Sequence, residues 1–136
     1  MQGSRKLTLG LSGLLAALAI FDFAIGAPGA RLNADAGAVH AAAAVLGFVC
    51  FGLGARACNV YLVGAGLLFC TDAFMGVSRG LFYLSFEAMR GNVEPLGKPA
   101  RYLASAPSAL IGVVALVAGL RFANADARRD RRPPPV

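Results

Sequence analysis

Three ionisable side chains, Asp22, His40 and Asp72, stand in stretches of sequence that otherwise avoid charge. Asp72 is the plainest case, because "LLFCTDAFMGV" (residues 67–77) sets one carboxylic acid in a run of apolar neighbours. An ionisable group at membrane depth is expensive, so each of the three is a functional-site expectation by default. Two acids and an imidazole can hold an internal proton or a small cation. In that case His40 is charged beside an ionised aspartate, or one aspartate stays neutral and donates. The same groups can instead fix helix packing through buried hydrogen bonds, or serve the binding of a ligand or partner.

Other chemistry finds less support. Cys50, Cys58 and Cys70 are odd in number and lack C-x-x-C spacing, which favours structural thiols over a redox pair. One histidine cannot give a haem two axial ligands, and no cluster has the spacing of a zinc site. No nucleophile elbow, phosphate loop or metalloprotease motif occurs, so an enzyme is not expected. The cofactor is left open, since a pigment, haem or lipid held between subunits need leave no mark in one chain. Nothing points to nucleic acid.

The elements that must position these residues follow from composition. The chain has 136 residues, 57% of them hydrophobic and only 15% charged, with a mean hydropathy of +0.65. A soluble domain of this size cannot hide so much apolar surface, whereas a bilayer can. Four apolar runs, residues 7–27, 36–54, 60–78 and 102–122, each offer the ~20 residues that a helix needs to cross ~30 Å of hydrocarbon. The expected fold is therefore an all-α, integral membrane four-helix bundle over residues 1–122. The first run also resembles a secretory signal peptide, with Arg5 and Lys6 before the apolar core and small residues at Ala24, Gly26 and Ala27. Its continuation through Phe21 and Phe23, and the three runs that follow, favour an uncleaved first span.

Basic residues set the expected orientation. With both termini cytoplasmic, that side holds eight Lys and Arg residues, among them Arg5, Lys6, Arg56 and Arg121, against five outside. Residues 123–136, ending in "RRDRRPPPV", read as a basic cytoplasmic tail. It is either a disordered topology anchor or a grip on anionic headgroups or a partner.

Connections differ in kind. Pro28 and Gly29 end the first span, and Asn33 or Asp35 can cap the second. Little more than residues 55–58 joins spans two and three. Short links make these helices antiparallel neighbours. Between spans three and four, "RGLFYLSFEAMR" (residues 79–90) puts Arg79, Tyr83, Glu87 and Arg90 on one face, and Phe82, Phe86 and Met89 on another. This predicts an interfacial helix over about 80–90, with bends offered by Gly76 and Gly80, then an irregular loop to residue 100. A tilted, overlong third span is the alternative.

A faint internal repeat runs through the chain. "LGFVCFGLGAR" (46–56) aligns with "IGVVALVAGLR" (111–121), pairing Gly47 with Gly112 and Gly54 with Gly119, and "FDFAIG" aligns with "TDAFMG", pairing Asp22 with Asp72. The chain thus reads as two helical hairpins forming a possible parallel repeat.

Counting depth at ~1.5 Å per residue puts Asp22 about 22 Å and Asp72 about 20 Å above the cytoplasmic end, and His40 about 7 Å below the outer surface. The three share one layer in the outer half. Span four crosses that layer near Ser105, Pro107 and Ser108, where proline frees a carbonyl and the serines can donate. Small residues recur at Ala104, Ser108 and Gly112 and at Ala43 and Gly47. Such stripes allow close packing within the bundle, self-association, or docking in a larger complex.

The layout resembles the small bacterial four-helix membrane proteins of the domain of unknown function 4383 family. The resemblance lies in His40 near the start of span two ("DAGAVHAAAAVLGF"), a glycine-rich exit from that span, Tyr61 and Gly64 in "VYLVGAGLL", and a last small-residue span ending in "VAGL". It covers residues 7–122 and implies a fold and a membrane location, not an activity; the expected membrane is a bacterial inner membrane. That family tends to carry a second histidine on the fourth helix, where this chain has Ser105 opposite His40. The expectation from residues and resemblance together is a structural or accessory membrane protein, self-associating or part of a larger complex. Its rival is a minimal proton or cation transporter using Asp22, His40 and Asp72.

Overall fold

The computed structural model describes residues 2–25, 31–80 and 97–130, with side chains described at 2–24, 36–80 and 97–128. They form four helices, α1 (Gln2–Ile25), α2 (Arg31–Leu53), α3 (Ala55–Arg79) and α4 (Lys98–Asp130). All four are long and apolar enough to cross a membrane. The protein is an all-α, multi-pass membrane protein built as a four-helix bundle.

Each helix outruns its apolar stretch. α1 begins at Gln2 rather than residue 7, α2 at Arg31 rather than 36, and α4 at Lys98 rather than 102. Backbone hydrogen bonding does not stop where hydrocarbon does, so polar flanks extend a span at little cost. Pro99 fits the first turn of α4, where its missing N–H has no helical partner to lose. At the other end α4 continues to Asp130, so much of the expected tail is helical rather than disordered. Ala123, Ala125, Ala127 and Arg128 are strong helix formers and carry it on. The rest of that tail (131–136), Pro28 and Gly29, and nearly all of the interfacial helix and loop expected over 80–100 lie outside the described residues.

Two glycines punctuate the chain. Gly54 alone joins α2 to α3, in place of the link expected over residues 55–58, which are helical. Its φ of 110° and ψ of −174° suit only a residue without Cβ. The Gly54 N–H donates to the Cys50 carbonyl at 3.1 Å and its own carbonyl accepts from Cys58 N–H at 3.0 Å, so one residue closes α2 and opens α3. Gly80, with φ 71°, ends α3 in the left-handed conformation, its N–H donating to the Gly76 carbonyl at 2.9 Å. The third span is therefore not one overlong helix to residue 90. The chain bends at Gly80, while Gly76 stays helical and buried.

The helices pack as two hairpins. α1 lies along α2 and α3 along α4, with lighter contact of α3 on α1 and α2, little between α1 and α4, and none between α2 and α4. α3 is the most enclosed of the four. On α4 the face toward α3 carries Ser105, Ser108, Gly112, Ala115 and Gly119, alternating four and three residues apart, and Ala104 is exposed instead. A strict four-residue stripe drifts around the helix by about 40° per step, whereas alternating steps average 3.5 and hold one face. Here the backbones nearly touch. A Cβ at Gly66 would lie 2.5 Å from the Leu116 nitrogen, and one at Gly112 2.6 Å from the Cys70 nitrogen. Small residues allow this approach, which is how helices gain packing energy where lipid removes the hydrophobic drive.

Candidate functional site: stacked polar layers

The end of the bundle away from the termini carries the residues singled out from sequence. α1 and α2 approach closely at Gly37, where a Cβ would stand 3.1 Å from that of Asp22. One turn further along α2, His40 Nδ1 donates to Asp22 Oδ2 at 2.7 Å. The pair is largely enclosed, with side chains 19% and 17% exposed for Asp22 and His40. In the other hairpin Asp72 is buried and its Oδ2 accepts from Ser108 Oγ at 3.2 Å. Ser105 Oγ, one turn before Ser108, is buried with no hydrogen-bond partner among the described residues.

The five residues thus sort into an Asp22–His40 pair within α1–α2 and an Asp72–Ser108 pair within α3–α4, with Ser105 beside the latter on the same face of α4. What joins the pairs is an aromatic ring. His40 stacks on Phe69 with centroids 6.0 Å apart and planes 20° from parallel, and Phe69 is one turn before Asp72. Pro107 contributes nothing inward. It and Leu103, whose carbonyl it leaves without a helical donor, are both exposed.

Directly beneath lies an apolar layer. Leu15 and Phe69, each 0% exposed, pack with Ala43 and Ala44 and are flanked by Leu18 and Ile111. Nearer the termini a second polar set follows. Tyr61 donates to the Ala43 carbonyl at 3.0 Å and Ser12 Oγ to the Thr8 carbonyl at 2.8 Å. Both hydroxyls press on Gly47, where any Cβ would collide with them. Thr8 Oγ1 and Asn59 Oδ1 are buried without a hydrogen-bond partner among the described residues. Asn59 Nδ2 donates to Asp126 Oδ2 at 2.9 Å, binding α3 to α4. At that end Arg5 donates to the Phe51 carbonyl at 3.3 Å and lies 4.8 Å from the centre of its ring, tying the start of α1 to the end of α2.

This second set was not foreseen, because Ser, Thr, Tyr and Asn carry no charge to betray them in an apolar run. Ser4, Thr8 and Ser12, all buried, do recur at every fourth position, a signal open to a search for polar periodicity. The three cysteines are free thiols, and Cys58 Sγ donates to the Cys50 carbonyl at 3.4 Å. Among the described residues no group of three or more His, Cys, Asp or Glu side chains could hold a metal ion.

Comparison with protein-family models, with curated proteins and with solved structures gives no match.

Proposed function

We propose that this chain is a structural or accessory membrane protein, which self-associates or serves as a subunit of a larger membrane complex, and that its intramembrane polar groups are packing devices. One observation carries the reading: the polar layer at the far end is closed beneath by Leu15 and Phe69, both 0% exposed. A proton or cation leaving Asp72 or Asp22 meets an apolar seal before it can reach Ser12, Tyr61 or Asn59. What the acids do have is a bond to the neighbouring helix of the same hairpin. Such bonds fix helix rotation and depth at a modest gain, on the order of 1 kcal/mol each. No enzymatic activity belongs to the proposal. A bacterial inner membrane with both termini cytoplasmic, and kinship with the domain of unknown function 4383 proteins, are part of it, supported by the basic flanks and by the short motifs around His40, Tyr61 and Gly64.

Native purification in a mild detergent tests the reading. A homo-oligomer or a stoichiometric partner is expected, and a lone monomer under every extraction condition would overturn it. The transport alternative draws on buried Asp72 and on Ser105 Oγ nearby, which has no hydrogen-bond partner among the described residues. Proton or cation flux in liposomes that Asp72→Asn abolishes would favour it, and equal background leak from both proteins would end it.

A further inference from the structure

The bundle is not closed evenly. α1 and α4 hardly touch, and between them lies a cavity of about 300 Å³ lined by Leu7, Gly10 and Leu14 of α1 and by Leu110, Val114 and Ala115 of α4. Its floor at Gly10 is open, with nothing within 4 Å of where a Cβ would stand. A second hollow continues from Val114 along α4 past Val117 to Arg121. From Leu110 to Arg121 is eleven residues, roughly 16 Å at ~1.5 Å per residue, or about half of a ~30 Å hydrocarbon core. The groove therefore has the length of one leaflet, and its mouth is at the end of the bundle that holds the termini.

Charge marks the mouth. Arg121 lines it, and Lys6, one turn before Gly10 on α1, stands at the same end. Both are exposed, and neither is taken up in a hydrogen bond or ion pair by the described residues, whereas Arg5 beside them is engaged with Phe51. An occupant must then be apolar for the depth of a leaflet and anionic at the surface. Apolar for the depth of one leaflet and anionic at its surface is the chemistry of an anionic phospholipid.

We infer that the α1–α4 groove is a binding site for one anionic phospholipid of the leaflet nearest the termini, with an acyl chain against Gly10, Val114 and Ala115 and the phosphate at Lys6 and Arg121. The site is separate from the polar layers, and it fills a seam that the described side chains leave open. A bound lipid there makes the fourth side of the bundle.

Native mass spectrometry of the delipidated full chain in detergent, offered equal amounts of phosphatidylglycerol and phosphatidylcholine, tests the assignment. One retained lipid is expected, with phosphatidylglycerol preferred. The double variant Lys6→Gln, Arg121→Gln should lower the affinity for phosphatidylglycerol on the order of thirtyfold, from the typical strength of two cations near a membrane surface. Gly10→Leu, which fills the groove and replaces glycine with a better helix former, should abolish retention of both lipids. Gly64→Leu, at an exposed position of α3 that does not line the groove, should change neither. Equal retention of the two lipids, or a lipid that survives Gly10→Leu, overturns the inference. So does a dimer that Gly10→Leu dissociates, which would give the groove to a second copy.

Discussion

Aspartate 22 and His40 illustrate how a costly residue becomes tolerable in lipid. Neither is hidden completely, yet the 2.7 Å bond between them gives each a partner on the adjacent helix. A double-mutant cycle with Asp22→Asn and His40→Leu should return a coupling of about 1 kcal/mol, read from unfolding in mixed detergent, since interhelical bonds in membranes average below that and rarely exceed ~1.7 kcal/mol. A coupling indistinguishable from zero would mean that the pair does no packing work. The depth count sets Asp22 and His40 at one level, as their bond requires, because rise per residue is a property of the backbone alone. It could not tell that Asp72 would bond to Ser108 rather than to His40, since helix rotation is set by packing. Ser108 was visible as a donor. Its pairing depended on the glycine-lined contact that turns its face of α4 toward α3.

At the scale of elements, the contact between α3 and α4 separates two glycines that look alike in sequence. Gly66 faces α4 with the Leu116 backbone against it, and Gly64 faces outward with open space around it. Gly66→Ala should therefore destabilise the protein by about 1–3 kcal/mol through overpacking. Gly64→Ala should stabilise it by about 0.5–1 kcal/mol through helix propensity. Parallel denaturation curves in detergent would show opposite signs, and equal signs would refute the assigned packing. The four apolar runs made the helices legible, but not their ends. Gly54 could be read as part of a span, and only its positive φ marks it as the whole joint between α2 and α3. The repeat was legible in part. Gly47 and Gly112 both face α3 at close approach, and Asp22 and Asp72 each bond to the second helix of their own hairpin. Gly54 and Gly119 share no role, one being a joint and the other a mid-helix contact.

For the molecule as a whole, α3 is the element that makes two hairpins one bundle, and Phe69 is its largest fully buried side chain. The ring meets Leu15 of α1, Ala43 and Ala44 of α2 and the His40 imidazole, while the Phe69 backbone lies against Gly112 of α4. Phe69→Ala should cost about 3–5 kcal/mol, as emptied core sites do. Hydrogen exchange should quicken on α1 and α2 as well as on α3, whereas loss confined to α3 would mean that the hairpins are held together elsewhere.

Gly54 also governs how the bundle answers its surroundings. A one-residue joint has no slack, so any tilt that α3 adopts with α4 in a thinner bilayer must be followed by the end of α2. The α1–α4 seam has no such tether. A change in bilayer thickness is therefore expected to fall on the α1–α4 seam before it disturbs the joint at Gly54.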